Sequence, residues 1–268
     1  MADIKGLRSS IRSVDSMLHL TTAMGLVASS KMYRASQAME NAHDFAQALR
    51  TMTSRLAANA ECQNSAFLNP PSDGDKTCLV VIAGDRGLCG GYNNNIFRLT
   101  AQQYADAEII PIGKRASERY GGGLTLCESF TCDDGYALAQ RLIDGYLGGA
   151  YARVGIVCTK YVSMMTQEAA VEWLLPLTKS EETAPGGILF EPEPSEVLGS
   201  AVREYVFGTL MEAIRESFAC ETAARRMAMD NAGRNAQQML DDLRLEYNRA
   251  RQGAITQEIT EIVAGSGA

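Results

Sequence analysis

Residues 7–56 read LRSSIRSVDSMLHLTTAMGLVASSKMYRASQAMENAHDFAQALRTMTSRL, and no proline interrupts them. Apolar or small residues recur at Leu7, Ile11, Val14, Leu18, Thr21, Met24, Ala28, Met32, Ala35, Met39, Ala42, Phe45, Leu49, Met52 and Leu56. Steps of three and four place them on one stripe of a helix, the a/d seam of a coiled coil. The far end of the chain repeats the pattern through Val202, Val206, Leu210 and Ile214, then Ala232, Ala236, Met239, Leu243, Tyr247, Ala250 and Ala254. Met and Ala knobs permit close, soft packing, which suits two helices paired within one chain. Helices of this length would each run about 80–100 Å at 1.5 Å per residue. Gly25, Gly208, Gly233 and Gly253 each weaken a helix locally by about 1 kcal/mol and mark where bends are expected.

All seven prolines (Pro70, Pro71, Pro111, Pro176, Pro185, Pro192, Pro194) lie between the two stretches. A proline inside a helix loses a hydrogen bond and clashes with the preceding turn, so their distribution brackets a different kind of structure. Thr77–Ala83, TCLVVIA, is a short β-branched run that reads as a buried strand. Residues 91–105 and 134–147 read as helices. Ile109–Ile112, Leu124–Phe130, Arg153–Thr159 and Val171–Leu177 read as further strands. Alternating strands and helices predict an α/β domain with a mainly parallel sheet. The expected division is an N-terminal helix over 1–58, a central α/β domain over 75–190 after the linker NPPSDGD, and a C-terminal helix over 195–268.

Composition excludes several classes. The net charge of −7 argues against a nucleic-acid binder. Residues 1–57 are net +3, 201–268 net −2 and the middle net −8, so the terminal stretches attract one another weakly. No run of eighteen apolar residues exists to span a membrane. The charged start MADIKGLRSSIRS does not read as a secretion signal, so a cytosolic location, or one on the cytosolic face of a membrane, is expected. Seven cysteines, odd in number and never spaced C-x-x-C, read as reduced, mostly buried thiols.

Candidate chemistry is sparse. GDRGLCGGYNNN (84–95) is a glycine-rich turn between a strand and a helix, a place where phosphate can bind. It matches neither G-x-G-x-x-G nor G-x-x-x-x-G-K-[ST], and tight turns use glycine in any case. The only histidines, His19 and His43, lie on the N-terminal helix with no carboxylate or thiol at ligand spacing. Asp133–Asp134 and Glu181–Glu182 read as loop or surface charges. No catalytic residue, metal ligand or cofactor site is expected.

Three segments carry a family resemblance: RSSIRSV (8–14) with TTAMGLVASSKMYRA (21–35), DRGLCGGYNNNI (85–96), and ETAARRMAMDNA (221–232) with YNRARQGAITQEITEIVAG (247–265). In order and spacing they resemble the gamma subunits of F-type ATP synthases. The resemblance implies an antiparallel pair of long terminal helices bracketing a Rossmann-like α/β domain. It also implies a rotor shaft, one copy per complex, inside a hexamer of alpha and beta subunits. The foot would rest with epsilon on the c-ring, and the membrane would be reached only through that ring. Arg251, Gln252, Thr256 and Glu258 match positions that grip the catalytic subunits, and Met24, Leu26 and Lys31 match the facing part of the N-terminal helix. Ile188, Phe190 and Glu191, in ILFEPEP (188–194), match the loop at the c-ring. His19 and Thr22 stand where the family usually has a basic residue, and Gly25 where it has a charged or larger one. The span from Val171 to Pro194 leaves no room for the cysteine-bearing insertion of chloroplast forms, so a bacterial source is expected. The rival readings are a coiled-coil scaffold unrelated to motors, and a nucleotide-binding enzyme using the 84–91 turn.

Overall fold

The structure is a computed structural model that describes residues 4–70, 76–122, 126–178 and 191–266. Ile188, Phe190, Glu181 and Glu182 lie outside those residues. Two helices dominate: α1, Ile4–Ala57, and α5, Pro194–Ser266. Between them come β1 (Thr77–Ile82), α2 (Tyr92–Gln103), β2 (Glu108–Ile112), α3 (Lys114–Tyr120), α4 (Cys132–Leu147), β3 (Arg153–Tyr161) and β4 (Gln167–Leu175). Pro194 opens α5 at the first helical position, where its missing N–H costs no helical hydrogen bond. The strand expected over 124–130 is not formed in the described part of that stretch. Residues 126–130, its described part, form turns that lead into α4. The predicted coiled-coil helices and α/β sheet are otherwise present.

The chain divides into two compact units. Residues 30–224 form one, and residues 1–29 with 225–268 form the other. In the first, the sheet order is β2-β1-β3-β4. β1 pairs in parallel with β2 and β3, and β4 closes the sheet antiparallel to β3. The β1 run is apolar on both faces because both are covered. Cys78, Val80 and Ile82 join one core with Leu142 and Tyr146 of α4 and with Val202, Val206, Leu210 and Ile214 of α5. Leu79, Val81 and Ala83 join a second core with Tyr92 and Ile96 of α2 and Ala116 of α3.

Helix α4 begins two residues before its expected start. The Thr131 hydroxyl accepts from the Asp134 N–H at 3.2 Å, and the Asp134 carboxylate accepts from the Thr131 N–H at 3.0 Å. Such a reciprocal box satisfies two orphan donors of the first turn. Asp134, read from sequence as a loop or surface charge, is a helix cap. Its hydrogen bonds from Thr131 hold its carboxyl below the ordinary range.

In the second unit α1 and α5 run antiparallel. Contacts pass from Arg8–Tyr247, through Val14 with Ala236 and Leu240, to Thr21–Gly233 and Gly25–Met229. Small knobs allow this closeness, as the seam predicts. The seam itself drifts. Up to Ala42 the expected positions are buried or half-buried, but Phe45 and Met52 are exposed while Ala46 and Thr53 are buried. Likewise Met239 is exposed and Leu240 buried. A strict 3.5-residue stripe on a helix of 3.6 residues per turn slips by about 20° per heptad, so over several heptads the buried position moves along by one residue. Neither helix breaks at its glycines. At Gly208 a Cβ would lie 2.4 Å from Leu49 Cδ1, so glycine is there to let α1 and α5 touch.

Candidate interaction surface

The glycine turn is occupied by its own side chains. The Asp85 carboxylate accepts the backbone N–H groups of Lys114, Cys127 and Glu128 at 3.0–3.1 Å. Asn93 Oδ1 accepts the Gly84 N–H at 2.8 Å. Behind Gly84 stands Glu221, whose side chain would lie 2.8 Å from any added Cβ. The Gly84 N–H is thus committed to Asn93, and the acids Asp85 and Glu221 stand at the turn, which disfavours an anion there. The turn is therefore a structural corner that fastens the end of β1 to α3 and to residues 127–128.

Sequence reasoning missed a cluster of charges at the sheet's far side. Arg50 of α1 donates to Glu172 of β4 at 2.6 Å and to Glu212 of α5. Lys160 of β3 bridges Glu172 at 2.7 Å and Glu216 at 3.1 Å. His43 Nδ1 lies 2.7 Å from Glu212, and the Tyr161 N–H donates to Glu216 at 2.8 Å. Glu212 is 5% exposed. Burial raises the Glu172 carboxyl's pKa, but Lys160 and Arg50 outweigh it and hold the group below its ordinary value. Burial also pulls Arg50 and Lys160 down, but Glu212 and Glu172 leave Arg50, and Cys158 with Glu172 and Glu216 leave Lys160, above their ordinary values. The cluster borders an open cleft of about 400 Å³. Its signal in the sequence was present: lone charges within apolar strands, and Glu212 and Glu216 one turn apart in an apolar helix. The histidine reading is corrected too. His43 meets Glu212 across elements, and His19 lies 3.7 Å from Asp15, one turn before it.

The residues matched to a grip fall in two places. Arg251, Gln252, Thr256 and Glu258 are all exposed. Arg8 pairs with Tyr247 near the start of α1, so α5 from about residue 252 onward overhangs the described part of its partner. On this overhang Ile255, Ile259, Ile262 and Val263 are exposed, Ile262 by 70%. Their spacing of four, three and one places them on one face. Met24 is half-buried and Leu26 exposed, at the level of Met229 and Asp230. They do not face Arg251–Glu258, because pairing the helices antiparallel puts about twenty residues, roughly 30 Å at 1.5 Å per residue, between the two sets. Lys31 lies in the sheet-bearing unit and bridges Glu128 at 2.5 Å. Glu191 is exposed just before α5.

The ATP synthase family model matches residues 3–268. The chain belongs to the ATP synthase gamma-chain family. An ATP synthase gamma chain from Ruminococcus albus is 37% identical to it, over 99% of this chain and 98% of the relative. Among solved structures, the Euglena gracilis mitochondrial ATP synthase in its OSCP/F1/c-ring assembly offers a chain with TM-score 0.67 and 17% identity, covering 99% of this chain and 94% of that one. The rotor of the same enzyme gives TM-score 0.62 at 16% identity, covering 94% and 98%. A Tetrahymena thermophila chain from the central stalk and c-ring gives 0.59 at 21%, covering 80% and 99%. Those likenesses show the fold, two long helices with a mixed four-stranded sheet. Among the described residues, no helix is long and apolar enough to cross a membrane.

Proposed function

We propose that this chain is the central rotor shaft of an F-type ATP synthase, coupling ion-driven rotation of a membrane c-ring to conformational cycling of catalytic alpha and beta subunits. The ion is a proton or sodium, and the chain itself carries no catalytic residue. One copy would sit within each alpha–beta hexamer, with epsilon and the c-ring at the sheet-bearing end, on the cytoplasmic face of a bacterial membrane. In this reading residues 1–58 and 195–268 are the shaft helices and 75–190 the foot. Arg251, Gln252, Thr256 and Glu258 engage the catalytic subunits, as do Met24, Leu26 and Lys31 at a lower level. Ile188, Phe190 and Glu191 meet the c-ring.

The observation that carries this reading is the overhanging end of α5. Four large β-branched residues face solvent on one stripe, between polar residues that are themselves exposed. An apolar stripe rimmed by polar groups is a surface made for a sleeve. An asymmetric helix turning inside such a sleeve favours different conformations of the surrounding subunits in turn, which is how binding energy becomes rotation-linked cycling.

The test is reconstitution with the alpha and beta subunits of the same organism. Co-elution, together with ATP hydrolysis that falls when residues 251–268 are deleted, is the expected result. A folded chain that neither co-elutes nor alters hydrolysis would sink the proposal.

A further inference from the structure

Torque that enters at a sheet must leave through helices, so something must stop the helices sliding against the sheet and each other. The α1–α5 seam is poor at that. Its buried knobs on α1 are largely alanine, as at Ala28, Ala35 and Ala46, and small knobs fix axial register weakly. At Gly208 the Leu49 side chain lies directly against the α5 backbone, with no side chain on the glycine to interlock with it. Arg50 follows Leu49 directly, and Glu212 lies one turn beyond Gly208. Directional bonds therefore begin where the knobs run out.

We infer that the cluster of Arg50, Glu212, Glu172, Lys160 and Glu216 is a register lock that ties α1, α5 and the β3–β4 hairpin into one torsionally rigid body. The inference rests on the shaft reading above. Arg50 is the hub: its planar guanidinium reaches a carboxylate on β4 and another on α5, a two-way bridge that a lysine ammonium holds less rigidly. Lys160 repeats the bridge from β3 to β4 and α5. Four elements are thus joined by five charges within one hydrogen-bonded network. Buried ion networks add little net stability over apolar packing, and fixing register is their best-attested use. Any rotation of α1 about its axis would withdraw Arg50 from both partners and leave Glu212 buried without its cation. These are positioning residues: they touch no substrate and act by holding the shaft to the foot.

The experiment uses the complex assembled with the organism's own alpha and beta subunits. The hexamer is fixed to a surface and a bead attached at Cys132, the exposed cysteine of the foot. Angular fluctuation during the pauses between rotary steps reads torsional stiffness. Removing the charges as a balanced pair, Arg50→Gln with Glu212→Gln, should raise angular variance by about twofold or more, because a directional tie between packed elements is gone. Arg115→Gln with Glu118→Gln, an exposed pair within one helix, should leave the variance unchanged. Ile96→Val, which loosens the core on the other face of the sheet without touching the cluster, should also leave it unchanged. A merely stabilising role would instead make variance follow melting temperature across all three variants. Should the double variant fail to assemble, Arg50→Lys carries the same comparison with a smaller rise expected. Unchanged variance in assembled, rotating cluster variants overturns the lock. Failure of the wild-type chain to assemble or rotate overturns the shaft reading itself, and the lock with it.

Discussion

From Val206 to Ala223, α5 has no exposed residue, whereas from Asp241 to Ser266 it has no buried one. One unbroken helix thus contains a core element and a bare rod. The difference lies in what each stretch keeps exposed. A helix apolar on all sides belongs inside a fold, and Val206–Ile214 fits that rule, with Glu212 admitted only because Arg50 and His43 reach it. The distal stretch is mostly charged and polar yet retains Leu245, Ile255, Ile259, Ile262 and Val263 in solvent. A surface helix gains nothing within its own chain from those five. The proximal half is made for its own chain, and the distal half keeps apolar side chains that its own chain does not cover.

That contrast yields four predictions. Leu210→Ala, in the fully buried stretch, should cost about 4 kcal/mol in urea unfolding, as fully buried leucines do. Arg50→Met should cost about 3 kcal/mol, because it leaves the buried Glu212 carboxylate with His43 alone in place of two partners, and adding Glu212→Gln should recover part of that loss.

The third concerns acid. Glu172 lies below its ordinary value of 4.5 when folded, so its contribution is full above that value and is lost as pH falls through the depressed folded value. Acid melts should show a stability loss below about pH 4.5 that Glu172→Gln flattens. The smallest effect is expected at the overhang. Ile259→Ala should change the stability of the isolated chain by less than about 0.5 kcal/mol while weakening association with alpha and beta subunits. A large stability loss there would erase the contrast between the two halves.

Much of this was legible in the sequence. The proline-free ends, the Met/Ala seam and the apolar runs of β1 and β3 announced two long helices and a sheet, because burial enforces periodicity wherever a face is covered. Helix α3 and the capping box of α4 were not announced. A seven-residue helix offers too few turns to show a period, and Asp134 resembles a surface charge until Thr131 closes on it. The seam's drift at Phe45 and Met52 follows from helix geometry accumulated over many turns, which stepping along the sequence by threes and fours conceals. The charge cluster draws one residue from α1, two from adjoining strands and two from α5, so no local window contains it. For the overhang, the residues were legible but their exposure was not, since it depends on where α1 begins.

The most direct test of the contrast is hydrogen exchange along α5, for the chain alone and after assembly with the alpha and beta subunits of its own organism. Exposed helices with little tertiary cover open readily, so residues 241–266 of the lone chain should exchange faster than 206–223, and fastest beyond Tyr247. On assembly, residues 241–266 should become protected while 206–223 change little. Co-elution with no new protection at 241–266 would contradict the account, because the partners would then be held elsewhere and the bare half of the helix would not be the shaft.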